Sequence, residues 1–192
     1  SLEFIDEARK ERKPFFLYLA YNAPHFPLQA PAEDIARFRG TYLAGWDRLR
    51  EERFERQKKL GVVDPAWTLG NRPDEIPDWD GLDPDEKDRL DHLMATYAAC
   101  VYRLDKAVGD FVAGLKARGE LENTVIFFFS DNGGSPEAGP RGQTEGDPSQ
   151  GDSRWYSGES WAYLQNTPFR YYKHFTHEGG ISSPLIVRWP KG

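Results

Sequence analysis

Apolar residues recur along the chain at two spacings, and the alternation between them sets out the elements. In residues 1–12, Phe4, Ile5 and Ala8 stand at helical spacing among charges, the pattern of an amphipathic helix end. Lys13-Pro14 stops it. Residues 15–21 are then a continuous apolar and aromatic run of strand length, which predicts a central parallel strand buried on both faces. The two prolines that flank His25, Pro24 and Pro27, force a non-helical loop at its exit. A short helix over 31–38 ends near Gly40, and a charged surface helix over 42–60 closes at Gly61. Residues 64–83, with Pro65, Pro73 and Pro77, read as an ordered loop or lid packed by Trp67 and Trp79.

From Leu90 to Leu115 the apolar positions step by threes and fours, which predicts one helix over 84–118, roughly 50 Å long at about 1.5 Å per residue. Asp83 with Glu86 forms a capping box at its start, and Gly119 is its stop. Residues 123–130 supply a second buried strand, residues 133–166 a long aperiodic surface excursion, and residues 183–190 a third strand. Strand, long helix, strand is the pattern of a parallel crossover. The expected fold class is therefore α/β, a partly parallel sheet flanked by helices. Three strands are few for an open sheet, so residues 1–192 are expected to be one partial domain with sequence missing on both sides.

Charge narrows the partners. With 25 Lys and Arg against 31 Asp and Glu the net charge is −6, and no basic stripe offers phosphate contacts, which argues against nucleic acid. The longest apolar runs, at 15–21 and 125–129, are far shorter than a bilayer span. A single cysteine excludes an internal disulfide framework.

In parallel α/β sheets ligands bind beyond the carboxyl ends of strands, and two polar clusters fall there. Asp131-Asn132 delivers a carboxylate and an amide oxygen in tandem, donors that suit a hard divalent cation. The same residues before Gly133-Gly134 also suit a simple turn. His25, held in a proline-stiffened loop, suits anion contact or proton transfer as well as plain loop packing. Lys173 precedes a Gly-Gly turn into a strand, where its ammonium either meets an oxyanion or stays solvated. His174, His177 and Glu178 lack the His-Glu-x-x-His spacing of a zinc helix, so zinc is not expected. Cys100, between apolar positions of the long helix, reads as a buried structural thiol.

Taken in order, several stretches resemble the sulfatase family, bacterial arylsulfatases in particular, within the alkaline-phosphatase-like superfamily. They are residues 13–31, 45–50, 97–105, 123–133 and 173–190, the last running from Lys173 through Glu178-Gly-Gly180 to Pro190. The resemblance implies an incomplete alkaline-phosphatase-like catalytic domain that hydrolyses sulfate monoesters at a calcium-bound site. On this likeness Asp131 and Asn132 are metal ligands. His25 and Lys173 contact the sulfate, and Lys173 also stabilises the departing alkoxide or phenolate.

The family nucleophile is a formylglycine made from Cys or Ser in a Cys/Ser-x-Pro-x-Arg motif, and an upstream Asp pair completes the metal site. Neither occurs here, because Cys100-Val-Tyr-Arg103 lacks the proline. The chain is thus expected to carry about half of an active site and to be inactive alone, with the formylglycine supplied upstream. The residues leave open a phosphodiesterase or phosphonate monoester hydrolase of the same superfamily, and a non-catalytic carbohydrate-binding module built on the Trp- and Gly-rich segments. Trp155, Tyr156 and Trp161 either line an aryl or sugar pocket or pack the loop. The expected substrate is a small-molecule or carbohydrate sulfate ester. The resemblance leans towards a periplasmic or secreted protein and leaves the cytoplasm open, and oligomeric state is not addressed.

Overall fold

The structure is a computed structural model that describes residues 1–190 and 192. Six helices form in chain order: α1 (Leu2–Lys10), α2 (Ala32–Ala36), α3 (Trp46–Lys59), α4 (Pro84–Ala117), α5 (Gly158–Gln165) and α6 (Glu178–Ile181). The four strands are β1 (Ile126–Phe129), β2 (Gln143–Glu145), β3 (Arg154–Tyr156) and β4 (Leu185–Arg188). No helix among the described residues is long and apolar enough to cross a membrane.

The capping signals set α4. The Asp83 carboxylate accepts from the Glu86 N–H at 2.8 Å, and Pro84 occupies the first turn, where its missing N–H costs nothing. The N-terminal half of α4 runs through the core: Leu90, Leu93, Ala95 and Ala99 are fully buried. Against it pack three indoles, Trp46, Trp79 and Trp161, with ring centroids 4.7 to 5.8 Å apart and Trp46 edge-on to the other two. The Trp46 and Trp79 indoles donate to the carbonyls of Pro77 and Leu43. Trp79 lies where a side chain at position 45 would stand, so the turn into α3 takes a glycine there, at φ +81°. Buried Asp91, also on α4, accepts from the N–H groups of Gly40 and Tyr42, both at 2.9 Å, and pairs with Arg39, which fixes the turn between α2 and α3. At the far end of α4, α1 docks through buried Ile5 and a two-bond fork from Arg118 to Asp6.

Four expectations are corrected. The sheets are not parallel: β1 pairs antiparallel with β4, Ile126 opposite Arg188, and β2 pairs antiparallel with β3. Residues 15–21 are extended but join no ladder. They alternate half-buried Phe15, Leu17 and Leu19 with Phe16 and Tyr18, 94% and 76% exposed. Apolar composition identifies a strand-like run; it does not name a partner, and the crossover argument assumed one. For the same reason β1 and β4 are not buried on both faces, and Phe127, Phe129 and Ile186 stand exposed. Finally, the segment 133–166 is no surface excursion, because it holds the β2–β3 hairpin and α5, whose Trp161, Ala162 and Leu164 are core residues. Of the two lid tryptophans, Trp79 is buried and Trp67 lies exposed near Phe169.

Candidate active site

Beyond β1 the chain turns through Ser130, Asp131 and Asn132, with the Ser130 hydroxyl donating to the Asn132 carbonyl at 2.9 Å. Here the backbone passes hard against α6, ahead of β4. Gly133 N–H donates to Gly180 O at 3.1 Å, and a Cβ at position 133 would stand 1.7 Å from Gly179 O. Asn166, at the end of α5, ties the two loops together. Its Oδ1 accepts from Gly134 N–H at 2.9 Å and its amide donates to Tyr171 O at 3.2 Å. Lys173 N–H then donates to Gly134 O at 3.1 Å. Tyr171 and His174 on either side of Lys173 both hold left-handed backbone, at φ +62° and +81°, a conformation that costs a non-glycine residue energy and persists only where surrounding contacts impose it.

Those contacts lead back to α3. The buried Arg50 guanidinium donates to the carbonyls of Tyr163, Pro168 and Phe169 at 2.6, 3.0 and 3.1 Å and lies 4.0 Å from the Tyr163 ring centroid. No carboxylate pairs with it among these contacts, and burial pulls its pKa below the usual guanidinium range. Arg50 thereby anchors the start of the segment that presents Lys173.

The Lys173 ammonium lies 3.3 Å from His25 Nε2, across 148 residues of sequence. His25 Nδ1 is 2.7 Å from the Phe26 carbonyl, which only accepts, so Nδ1 carries the proton and Nε2 accepts from Lys173. The loop is held in place as Leu28 N–H donates to Trp155 O at 2.9 Å and Phe26 packs on Tyr156 at 4.6 Å. His25, Asp131, Asn132 and Lys173 line one open cleft.

Asp131 is exposed and Asn132 half-buried. The Asn132 amide nitrogen is committed to Gly133 O at 3.1 Å, which leaves its Oδ1 for a ligand. A carboxylate beside an amide oxygen fits two positions in the shell of a hard cation that takes six to eight oxygens. Among the described residues no group of three or more His, Cys, Asp or Glu is set to hold a metal.

One participant was not visible in the pattern. Glu137 Oε1 lies 3.1 Å from His174 Nε2 and 3.8 Å from Lys173 Nζ, and the Ser135 hydroxyl donates to its other oxygen. Partial burial pushes the Glu137 carboxyl up. The Ser135 hydroxyl, its own backbone N–H, His174 and Lys173 together outweigh that and hold it below the usual range. Asn166 and Arg50 were likewise passed over, since their roles rest on loop contacts that no local spacing encodes.

The remaining candidates go elsewhere. His174 turns to Glu137, and the His177 ring lies 4.8 Å from that of Tyr171. Glu178 opens the single turn of α6, which takes in Gly179 and Gly180 where a Gly-Gly turn was expected. Cys100 is buried, with Sγ 3.4 Å from Gln29 O, and burial pushes its thiol up. Trp155 and Trp161 belong to the core, and Tyr156 reaches the cleft only through Phe26.

A sequence profile of the sulfatase family matches residues 1–192. The chain is 37% identical over 210 aligned residues to an uncharacterized sulfatase of Schizosaccharomyces pombe, an alignment covering 98% of this chain and 37% of the relative. It is 32% identical to an arylsulfatase of Klebsiella aerogenes, covering 96% of this chain and 42% of that protein. It is 25% identical to the N-acetylgalactosamine-6-sulfatase of Mus musculus, covering 99% and 22%. The chain thus spans about two fifths of the length of the first two. With the profile matched from end to end, the chain belongs to the sulfatase family.

Proposed function

We propose that these residues form the cation-and-anion half of the site of a sulfuric ester hydrolase, which cleaves a sulfate monoester to an alcohol or phenol and sulfate. The observation that carries this reading is the 3.3 Å contact of Lys173 with His25 in the cleft that Asp131 and Asn132 line. Without ligand the ammonium donates to Nε2. An arriving oxyanion offers the ammonium a better acceptor. Lys173 would then also stabilise charge on the departing oxygen, where a preorganised donor matters most. Asp131 and Asn132 would hold a divalent cation, calcium by family resemblance, which supplies Lewis-acid polarisation of a sulfate oxygen when bound. The nucleophile is not among these residues, so the 192-residue chain turns over no sulfate ester by itself. The related proteins bear names with unlike alcohols, aryl and N-acetylgalactosamine, and the assignment accordingly stops at the sulfate monoester.

Titration of the 192-residue chain with inorganic sulfate, followed through the His25 imidazole NMR signals at constant ionic strength with chloride, tests the assignment. A saturable shift is expected in the wild type. In Lys173→Ala the affinity should be weakened about tenfold or more, the scale of one lost charge-assisted hydrogen bond. Equal affinity in Lys173→Ala, or a His25 signal indifferent to sulfate, contradicts it.

A further inference from the structure

We propose that Glu137 is the internal counter-ion of the Lys173–His25 pair, set to weaken the hold of that pair on an oxyanion so that sulfate leaves readily. The inference rests on the anion-binding reading above and assigns a residue that neither the sequence pattern nor the family likeness singles out.

Three features carry it. First, the carboxylate is not a hydrogen-bond partner of Lys173. Its Oε1 is 3.8 Å from Nζ, while the closer polar contact of that ammonium is His25 Nε2 at 3.3 Å. Glu137 therefore balances the charge of Lys173 without fixing its direction. Second, Glu137 is itself held from other sides, by the Ser135 hydroxyl and by His174 Nε2 at 3.1 Å, so it does not swing away when an anion arrives. Third, the side chains of Glu137 and Lys173 are each 24% exposed, which leaves their interaction only partly screened by water.

A sulfate oxygen drawn to Lys173 must approach a fixed negative charge, and the same repulsion helps expel the sulfate product. The backbone leaves the arrangement little slack. Ala138, next to Glu137, holds left-handed backbone at φ +74°, as does His174 beside Lys173, and the Lys173 N–H to Gly134 O bond joins the two loops.

Glu137→Gln removes the charge and keeps an amide oxygen that accepts from His174, while its amide nitrogen can donate to the Ser135 hydroxyl oxygen. In the 192-residue chain, inorganic sulfate is expected to bind Glu137→Gln about threefold to tenfold more tightly than wild type, the effect of one unit charge a few ångströms away across water. Ser135→Ala, which leaves the charge and loosens one support, should stay within about twofold of wild type. A residue that merely held Lys173 in place would give the opposite sign, so unchanged or weaker binding in Glu137→Gln overturns the proposal. The two readings fail separately. If Lys173→Ala loses sulfate while Glu137→Gln matches wild type, only the role of Glu137 falls. If Lys173→Ala binds like wild type, or no variant responds to sulfate, the anion site falls and the counter-ion with it.

Discussion

Gly133 sits where backbone passes backbone, and its lack of a side chain is dictated by the carbonyl opposite. A Cβ there would stand 1.7 Å from Gly179 O, in a stretch where neither strand end nor loop can yield without releasing the Gly133 N–H to Gly180 O bond. Gly133→Ala is accordingly expected to destabilise the chain by about 3 kcal/mol, the upper range for overpacking, as read by chemical denaturation. It should also disturb the Asp131-Asn132 turn. A change below about 0.5 kcal/mol, the range of a neutral surface substitution, would mean that this close approach does not exist. The sequence singles out His25, Lys173, Asp131 and Asn132 only through the order of short stretches that resemble a family. Spacing had left each of them open to a plain structural role. Glu137 was not legible, since its meaning depends on His174 and Lys173, tens of residues away.

At the scale of elements, legibility followed the range of the signal. The capping box at Asp83 and the three-and-four stepping from Leu90 to Leu115 are local, and α4 follows both from Pro84 to Ala117. Strand partnership is non-local. The run at 15–21 has the composition of a buried strand, yet its neighbour is set by chain far away in sequence, and β1 turns out to pair with β4 in the antiparallel sense. The segment 133–166 differs from expectation for a related reason: α5 is short, its buried residues Trp161 to Leu164 run consecutively without helical spacing, and the Trp161 indole lies between Trp46 and Trp79. That indole joins α3, α5 and the loop ahead of α4. Trp161→Ala should cost about 4 kcal/mol and lower the thermal midpoint, as measured by calorimetry or circular dichroism. Because α5 ends at the Asn166 clasp, the same variant should weaken sulfate binding although no part of Trp161 touches the cleft. A midpoint unchanged from wild type would remove the indole cluster from the account of the core.

For the molecule as a whole, two ends of the chain are brought to one cleft. A proline-bounded loop after residues 15–21 supplies His25 and a loop after α5 supplies Lys173, while the turn after β1 carries Asp131 and Asn132 to the lining of the same cleft. The net charge of −6 gives no general attraction for anions, so under the proposed function an oxyanion would have to be held locally, at Lys173 and His25. The central claim is that Lys173 acts on a sulfate ester, and the most direct measurement is turnover of an aryl sulfate and of the matching aryl phosphate by the native gene product and its Lys173→Ala variant. The account predicts sulfate turnover by the wild type and a loss of about 10²–10³-fold in the variant, the scale of one missing preorganised donor. Sulfate turnover that survives Lys173→Ala intact, or a wild type that hydrolyses only the phosphate, would contradict it.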